Sequence, residues 1–120
     1  RLAAFNEKRI ANAAYLTAHL KGVIPPATPA GYRHVFHQYT IRVPNGQRDR
    51  VSAGLTKRGI GNRVYYPLPV HRQPYYRQLG YDLSLPAAER ASEEVLSLPV
   101  HPALTDDELA CIAEAVSELL

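Results

Sequence analysis

A chain of 120 residues with 46% hydrophobic and 21% charged side chains has the composition of one globular domain with one core. No apolar run nears the ~20 residues of a membrane span, so a transmembrane helix is excluded, and a single cysteine, Cys111, excludes an internal disulfide and fits the cytoplasm. Fourteen basic residues interleave with eleven acids for a net charge of +3, with no basic stripe of the kind that grips nucleic acid.

From Arg1 to about Lys21 an alanine-rich, proline-free segment predicts a helix with an apolar stripe through Ile10, Ala13, Ala14 and Leu20, closed by Gly22. The chain lacks methionine and opens inside this helix, so it is expected to be a piece of something longer. Pro25 to Tyr32 predicts an extended connector. RHVFHQYTIRV, Arg33 to Val43, predicts a strand with Val35, Tyr39, Ile41 and Val43 on one face, and PNGQ, Pro44 to Gln47, a turn. A helix follows from Arg48 to Arg58, with Gly59 and Ile60 suited to a Schellman ending against Leu55. Asn62 to Tyr66 predicts a second strand, stopped by Pro67 and Pro69. An irregular path to Gly80 carries one helical turn near Tyr75 to Leu79. Pro86 opens another helix with Ala88, Ala91 and Val95 inward, and Leu96 to Pro102 holds a short strand. Thr105 and Glu108 spell a capping box, Leu104 and Leu109 its staple, and Leu109, Ile112, Val116 and Leu119 the buried face of the last helix. The fold class is α+β: a small, mostly antiparallel sheet with helices packed on one side.

Little in the chain resembles a self-sufficient catalytic centre. His34 and His37, three apart on a strand, point to opposite faces and do not converge on a metal. Cys111 sits beside core positions of its helix, where inert packing is expected. Lys8, Lys21 and Lys57 lie on helices or their ends, where solvated lysines belong. What stands out is VYYPLPVHRQPYY, Val64 to Tyr76, which combines rigid amphipathic rings with prolines. Two readings stay open for it. Its tyrosines pack beneath a loop with the histidines half exposed, or they form a wall in which Tyr65 and Tyr66 offer opposite faces of a strand end while His71 and Gln73, on the proline-stiffened loop that follows, supply hydrogen bonds.

The ordered series HVFHQYTIRV, RGI, VYYPLPVHRQPYY, LGY and LPAAERASEEVLSLPVHPALTDDEL resembles the C-terminal part of the DegT/StrS-type nucleotide-sugar aminotransferases, collinearly over residues 31 to 120. The resemblance implies the small C-terminal domain of a fold-type I enzyme. Residues 1–22 would then be the end of an interdomain helix and residues 31–120 the α+β core, with the large cofactor-binding domain preceding residue 1. It further implies that the intact homodimeric enzyme uses pyridoxal phosphate to move an amino group, usually from glutamate, onto a nucleotide-linked keto sugar. The Schiff-base lysine would lie in the preceding domain, so this chain alone is expected to be inactive and to bind no cofactor. His37, Gln38, Tyr39, Tyr66 and His71 carry over as substrate-side residues, His71 foremost; for His37, which shares the apolar face of its strand, a buried structural role is the alternative. Arg63 and Arg72 are candidates for the diphosphate, with plain solvation as the alternative. A different class of reading is a free-standing α+β module whose aromatic loop binds a small ligand or regulates. RNA binding is disfavoured, because the strands lack paired stacking aromatics.

Overall fold

A computed structural model describes residues 1–120. Five α-helices surround a small antiparallel sheet in the order α1 (Leu2–His19), β1 (Tyr39–Arg42), α2 (Arg48–Lys57), α3 (Pro74–Gln78), α4 (Pro86–Glu94), β2 (Val95–Leu98) and α5 (Asp106–Glu118). A single 3₁₀ turn, Val70–Arg72, precedes α3. The α+β class with a small antiparallel sheet is therefore the observed one. No helix is long and apolar enough to cross a membrane.

β1 pairs with β2 so that Tyr39 opposes Leu98 and Ile41 opposes Leu96. Because side chains alternate across a strand, these four share one face, and all four are buried. They meet Ala13 and Leu16 of α1, Val51 and Leu55 of α2, and Leu109, Ile112 and Val116 of α5 in one hydrophobic cluster. On the opposite face Thr40 Oγ1 and Ser97 Oγ lie 2.8 Å apart, a cross-strand hydroxyl pair. Single bridges extend the sheet on both sides, Ile24 to Arg42 and Arg63 to Ser97.

Local signals place several ends where expected. Thr105 Oγ1 accepts from the Glu108 N–H at 3.2 Å while Glu108 Oε2 accepts from the Thr105 N–H at 2.8 Å, which is the capping box complete, with Leu104 and Leu109 buried across it. At the end of α2, the Ile60 N–H reaches the Leu55 carbonyl and the Gly59 N–H the Thr56 carbonyl, both at 3.0 Å. That Schellman closure needs a left-handed residue, and Gly59 supplies φ +75° without a Cβ penalty. Asn45 and Gly46 turn the chain between β1 and α2 with φ +61° and +67°.

Several expectations are corrected. The strand drawn from Arg33 starts only at Tyr39: the Phe36 N–H donates to His34 Nδ1 at 2.8 Å and Phe36 takes φ +47°, so local bonding bends the backbone out of any ladder, and Val35 is exposed. The strand drawn over 62–66 is reduced to the Arg63–Ser97 bridge. The inner side of α1 is Asn12, Ala13 and Leu16 rather than Ala14, with Asn12 Nδ2 donating to the His101 carbonyl at 2.9 Å. Cys111 is exposed, because α5 turns Leu109, Ile112 and Val116 inward and leaves position 111 on the outer face. On α4 the buried residue is Ser92, whereas Ala88 stays exposed and borders a cavity. The C-terminal end of that helix is tied down by Arg48, whose Nη1 donates to the Ser92 and Val95 carbonyls at 3.1 and 3.2 Å.

Candidate functional site

Two clefts share a wall. The larger, about 940 Å³, lies between the start of the sheet, the turn after α2 and the chain leaving β2. Arg9, His37, Gln38, Arg63, Tyr65 and His101 line it, and no carboxylate does. The bend ending at Gln38 just before β1 exposes His37 and Gln38, while the Arg63–Ser97 bridge holds Arg63 at the edge of the sheet. Arg9 comes from α1, with Nη1 3.4 Å from the carbonyls of both Phe36 and His37. A cavity of this lining offers two permanent cations, two imidazoles and an amide, which suits an anionic, hydroxyl-bearing ligand.

The smaller cleft, about 600 Å³, is mostly apolar. Tyr65, Tyr66, Leu68, Val70, Tyr76 and Tyr81 line it together with Ala88 and Ala91 of α4 and Val95 at the start of β2. Tyr65 and Tyr66 do not present opposite faces: their rings meet edge to face with centroids 5.7 Å apart, a favourable quadrupolar contact. Tyr66 is 73% exposed.

The five residues singled out in the sequence thus separate. His37 and Gln38 enter the polar cleft, and the burial considered for His37 is not seen. Tyr66 and His71 border the apolar one. Tyr39 lines neither: it is fully buried, its hydroxyl 2.9 Å from Thr17 Oγ1. Burial pushes its phenol above the ordinary value, partly offset by that hydrogen bond. His71 is 7% exposed, and its Nε2–H donates to Glu89 Oε1 at 2.9 Å. The same oxygen accepts from Arg72 Nη2 at 3.1 Å and from the Leu85 N–H at 3.0 Å. Donation from His71 first, then from the Leu85 N–H and Arg72, holds the Glu89 carboxyl at about 2, against an ordinary value of 4.5.

Arg9 and His101 escaped sequence reasoning. They are distant from HVFHQYT along the chain: Arg9 is brought there by the packing of α1 on the sheet, and His101 by the pairing of β2 with β1, which sets Leu98 opposite Tyr39. Tyr65, named in the sequence with Tyr66 as part of a wall, lines both clefts.

None of the three lysines lines either cleft; Lys8 lies 4.0 Å from Asp106 and the others are exposed. These residues therefore do not fit a covalently anchored pyridoxal phosphate by themselves.

The chain is similar to a "pleiotropic regulatory protein" of Geobacillus stearothermophilus, 46% identical over 97 residues, which cover 80% of this chain and 26% of that one. It is 40% identical to a UDP-N-acetyl-3-dehydro-alpha-D-glucosamine 3-aminotransferase of Acidithiobacillus ferrooxidans, over 99% of this chain and 32% of the relative. Among solved structures, the PMP form of the putative sugar aminotransferase Spr1654 of Streptococcus pneumoniae superposes with a TM-score of 0.88 at 25% identity, covering 98% of this chain and 31% of that one. The chain thus spans about a quarter to a third of the length of the relatives it matches. With residues 1–117 matching the family model as well, the chain belongs to the DegT/DnrJ/EryC1/StrS aminotransferase family.

Proposed function

We propose that residues 1–120 act as the C-terminal domain of a pyridoxal-phosphate-dependent aminotransferase that moves an amino group from glutamate onto a nucleotide-linked keto sugar, working in the cytoplasm as a homodimer. The observation that carries the substrate class is the carboxylate-free polar cleft, in which Arg9 and Arg63 flank His37, Gln38 and His101. A diphosphate is matched by guanidinium groups, which donate in a planar fork, and sugar hydroxyls by the amide of Gln38 and the imidazoles. Tyr65 at the cleft wall offers a ring face to a sugar or base. Two relatives support the chemistry: one is named for amination of a nucleotide-linked 3-dehydro sugar and another was solved in a PMP form.

In the intact enzyme pyridoxal phosphate, anchored outside these residues, would supply the chemistry of amino-group transfer. This domain's residues bind and orient the sugar nucleotide and exclude water on one side of the site. With no lysine in either cleft, the 120-residue chain is inactive alone. The gene's full product, loaded with pyridoxal phosphate, should be yellow, lose colour with glutamate and regain it with a nucleotide-linked keto sugar. Gln38→Ala should weaken the second step and leave the first unchanged. Equal damage to both steps, or a protein that takes up no cofactor, contradicts the reading.

A further inference from the structure

Between Val64 and Ser84 every backbone hydrogen bond stays within the segment, and so does that of Gln73 to the Leu68 carbonyl. Only His71 and Arg72 reach outside it, and both reach the same atom, Glu89 Oε1 on α4. His71 is also the only buried residue of the segment. At the far end, the Leu85 N–H donates to that oxygen as well. One carboxylate therefore gathers two side-chain donors of the loop and the N-cap amide of its own helix, where the loop ends, while the loop's tyrosines stay exposed.

We propose that Glu89 is a positioning residue, which by clamping His71, Arg72 and the Leu85 N–H fixes the tyrosine-bearing loop as the shared wall of the two clefts. The proposal rests on the functional reading above, in that the wall serves a sugar nucleotide. Tyr65 borders both clefts and Tyr66, Leu68 and Val70 border the apolar one, so a loop released from α4 moves the wall of the polar cleft too. Histidine's part changes accordingly: His71 is engaged inward and holds the loop, while the groups left free to meet a ligand are Tyr65 and Tyr66. A charged acceptor suits this duty, because hydrogen bonds to an ionised group are about twice as strong as neutral ones. The depressed carboxyl keeps Glu89 ionised throughout the neutral range.

The test compares the intact holoenzyme with Glu89→Ala, Glu89→Gln and Thr105→Ala. Thr105→Ala removes the cap of α5 at a residue that lines neither cleft, and so reports loss of stability alone. Glu89→Ala should raise KM for the nucleotide sugar roughly ten- to a hundredfold, as expected when a binding wall is misplaced, with the glutamate bleaching rate unchanged. Glu89→Gln keeps one acceptor oxygen and should recover part of that loss, and Thr105→Ala should leave KM as in the parent. Hydrogen exchange in residues 70–81 should accelerate in Glu89→Ala and remain as in the parent in Thr105→Ala. Unchanged exchange in Glu89→Ala overturns the clamp, and so does equal slowing of both half-reactions. Should the parent enzyme fail to aminate any nucleotide sugar, the functional reading fails, and the clamp is then decided by exchange alone.

Discussion

Tyr39→Phe separates a packing role from a substrate role more sharply than any other single change. The substitution deletes one hydroxyl and leaves the ring that fills the core between α1 and the sheet. Its partner, Thr17, is exposed, so the orphaned Thr17 Oγ1 can turn to water and the change carries no buried-unsatisfied penalty. The cost is then that of one net hydrogen bond, about 1 kcal/mol. For a domain of this size that corresponds to a fall of about 4 °C in Tm and, with m of roughly 2 kcal/mol/M, about 0.5 M in the urea midpoint. The alkaline limb gives a second check. Burial raises the Tyr39 phenol above 10, so the folded state holds a proton that the unfolded chain releases first. Its contribution is whole below pH 10 and lost as pH rises through the folded value, and the variant, which has no phenol at this position, suffers no such loss. The gap between parent and variant should therefore narrow above pH 10, followed by circular dichroism in urea. In the intact enzyme KM for the nucleotide sugar should stay within about twofold, less than any lost hydrogen bond to a charged group would cause. A tenfold rise in KM with an unchanged urea midpoint would show the hydroxyl to be a ligand contact and refute the packing argument.

Thr105→Ala removes the capping box of α5 and should cost about 1 kcal/mol in a denaturant titration at neutral pH. Glu89→Gln should flatten the acid limb: the parent's clamp is intact above pH 4.5 and lost as pH falls toward about 2, because the unfolded carboxyl takes up its proton first. A pH series of urea midpoints checks this, and identical acid limbs in both proteins would refute it. Arg63→Ala in the intact enzyme should weaken nucleotide-sugar binding about tenfold or more, the loss of charge-assisted hydrogen bonds, and should flatten its dependence on salt, as calorimetry at two ionic strengths would show.

What could be read in advance was local. The Schellman end at Gly59 and the capping box at Thr105 lie within six residues of the chain, and each is fixed by one residue's backbone freedom or one side chain's reach. The buried alternation of Tyr39, Ile41 and Val43 was equally legible, but where it began was not: Val35 and Phe36 have the composition of a strand, and the His34 imidazole takes the backbone donor that a strand would have used. The site was legible as a list of residues and illegible as an arrangement. His37 and Gln38 face the polar cleft, yet Tyr39, the next residue, is turned into the core by the alternation of the strand itself. Glu89 is 18 residues from His71 and reads in sequence as one more acid on a helix; the Leu85 N–H at the N-cap of α4 is a local donor, but those of His71 and Arg72 exist only once the loop folds back on α4. Arg9 reaches the cleft from a helix 28 residues away from His37.

In the proposed enzyme a sugar nucleotide lies in the polar cleft of this domain. Hydrogen exchange of the intact holoenzyme with and without a nucleoside-diphosphate sugar tests it most directly. Slowed exchange should appear together in three stretches, residues 37–38, 59–63 and 97–101, each of which lines that cleft. Saturating ligand that slows exchange elsewhere in the protein and leaves all three stretches as they were would contradict the account.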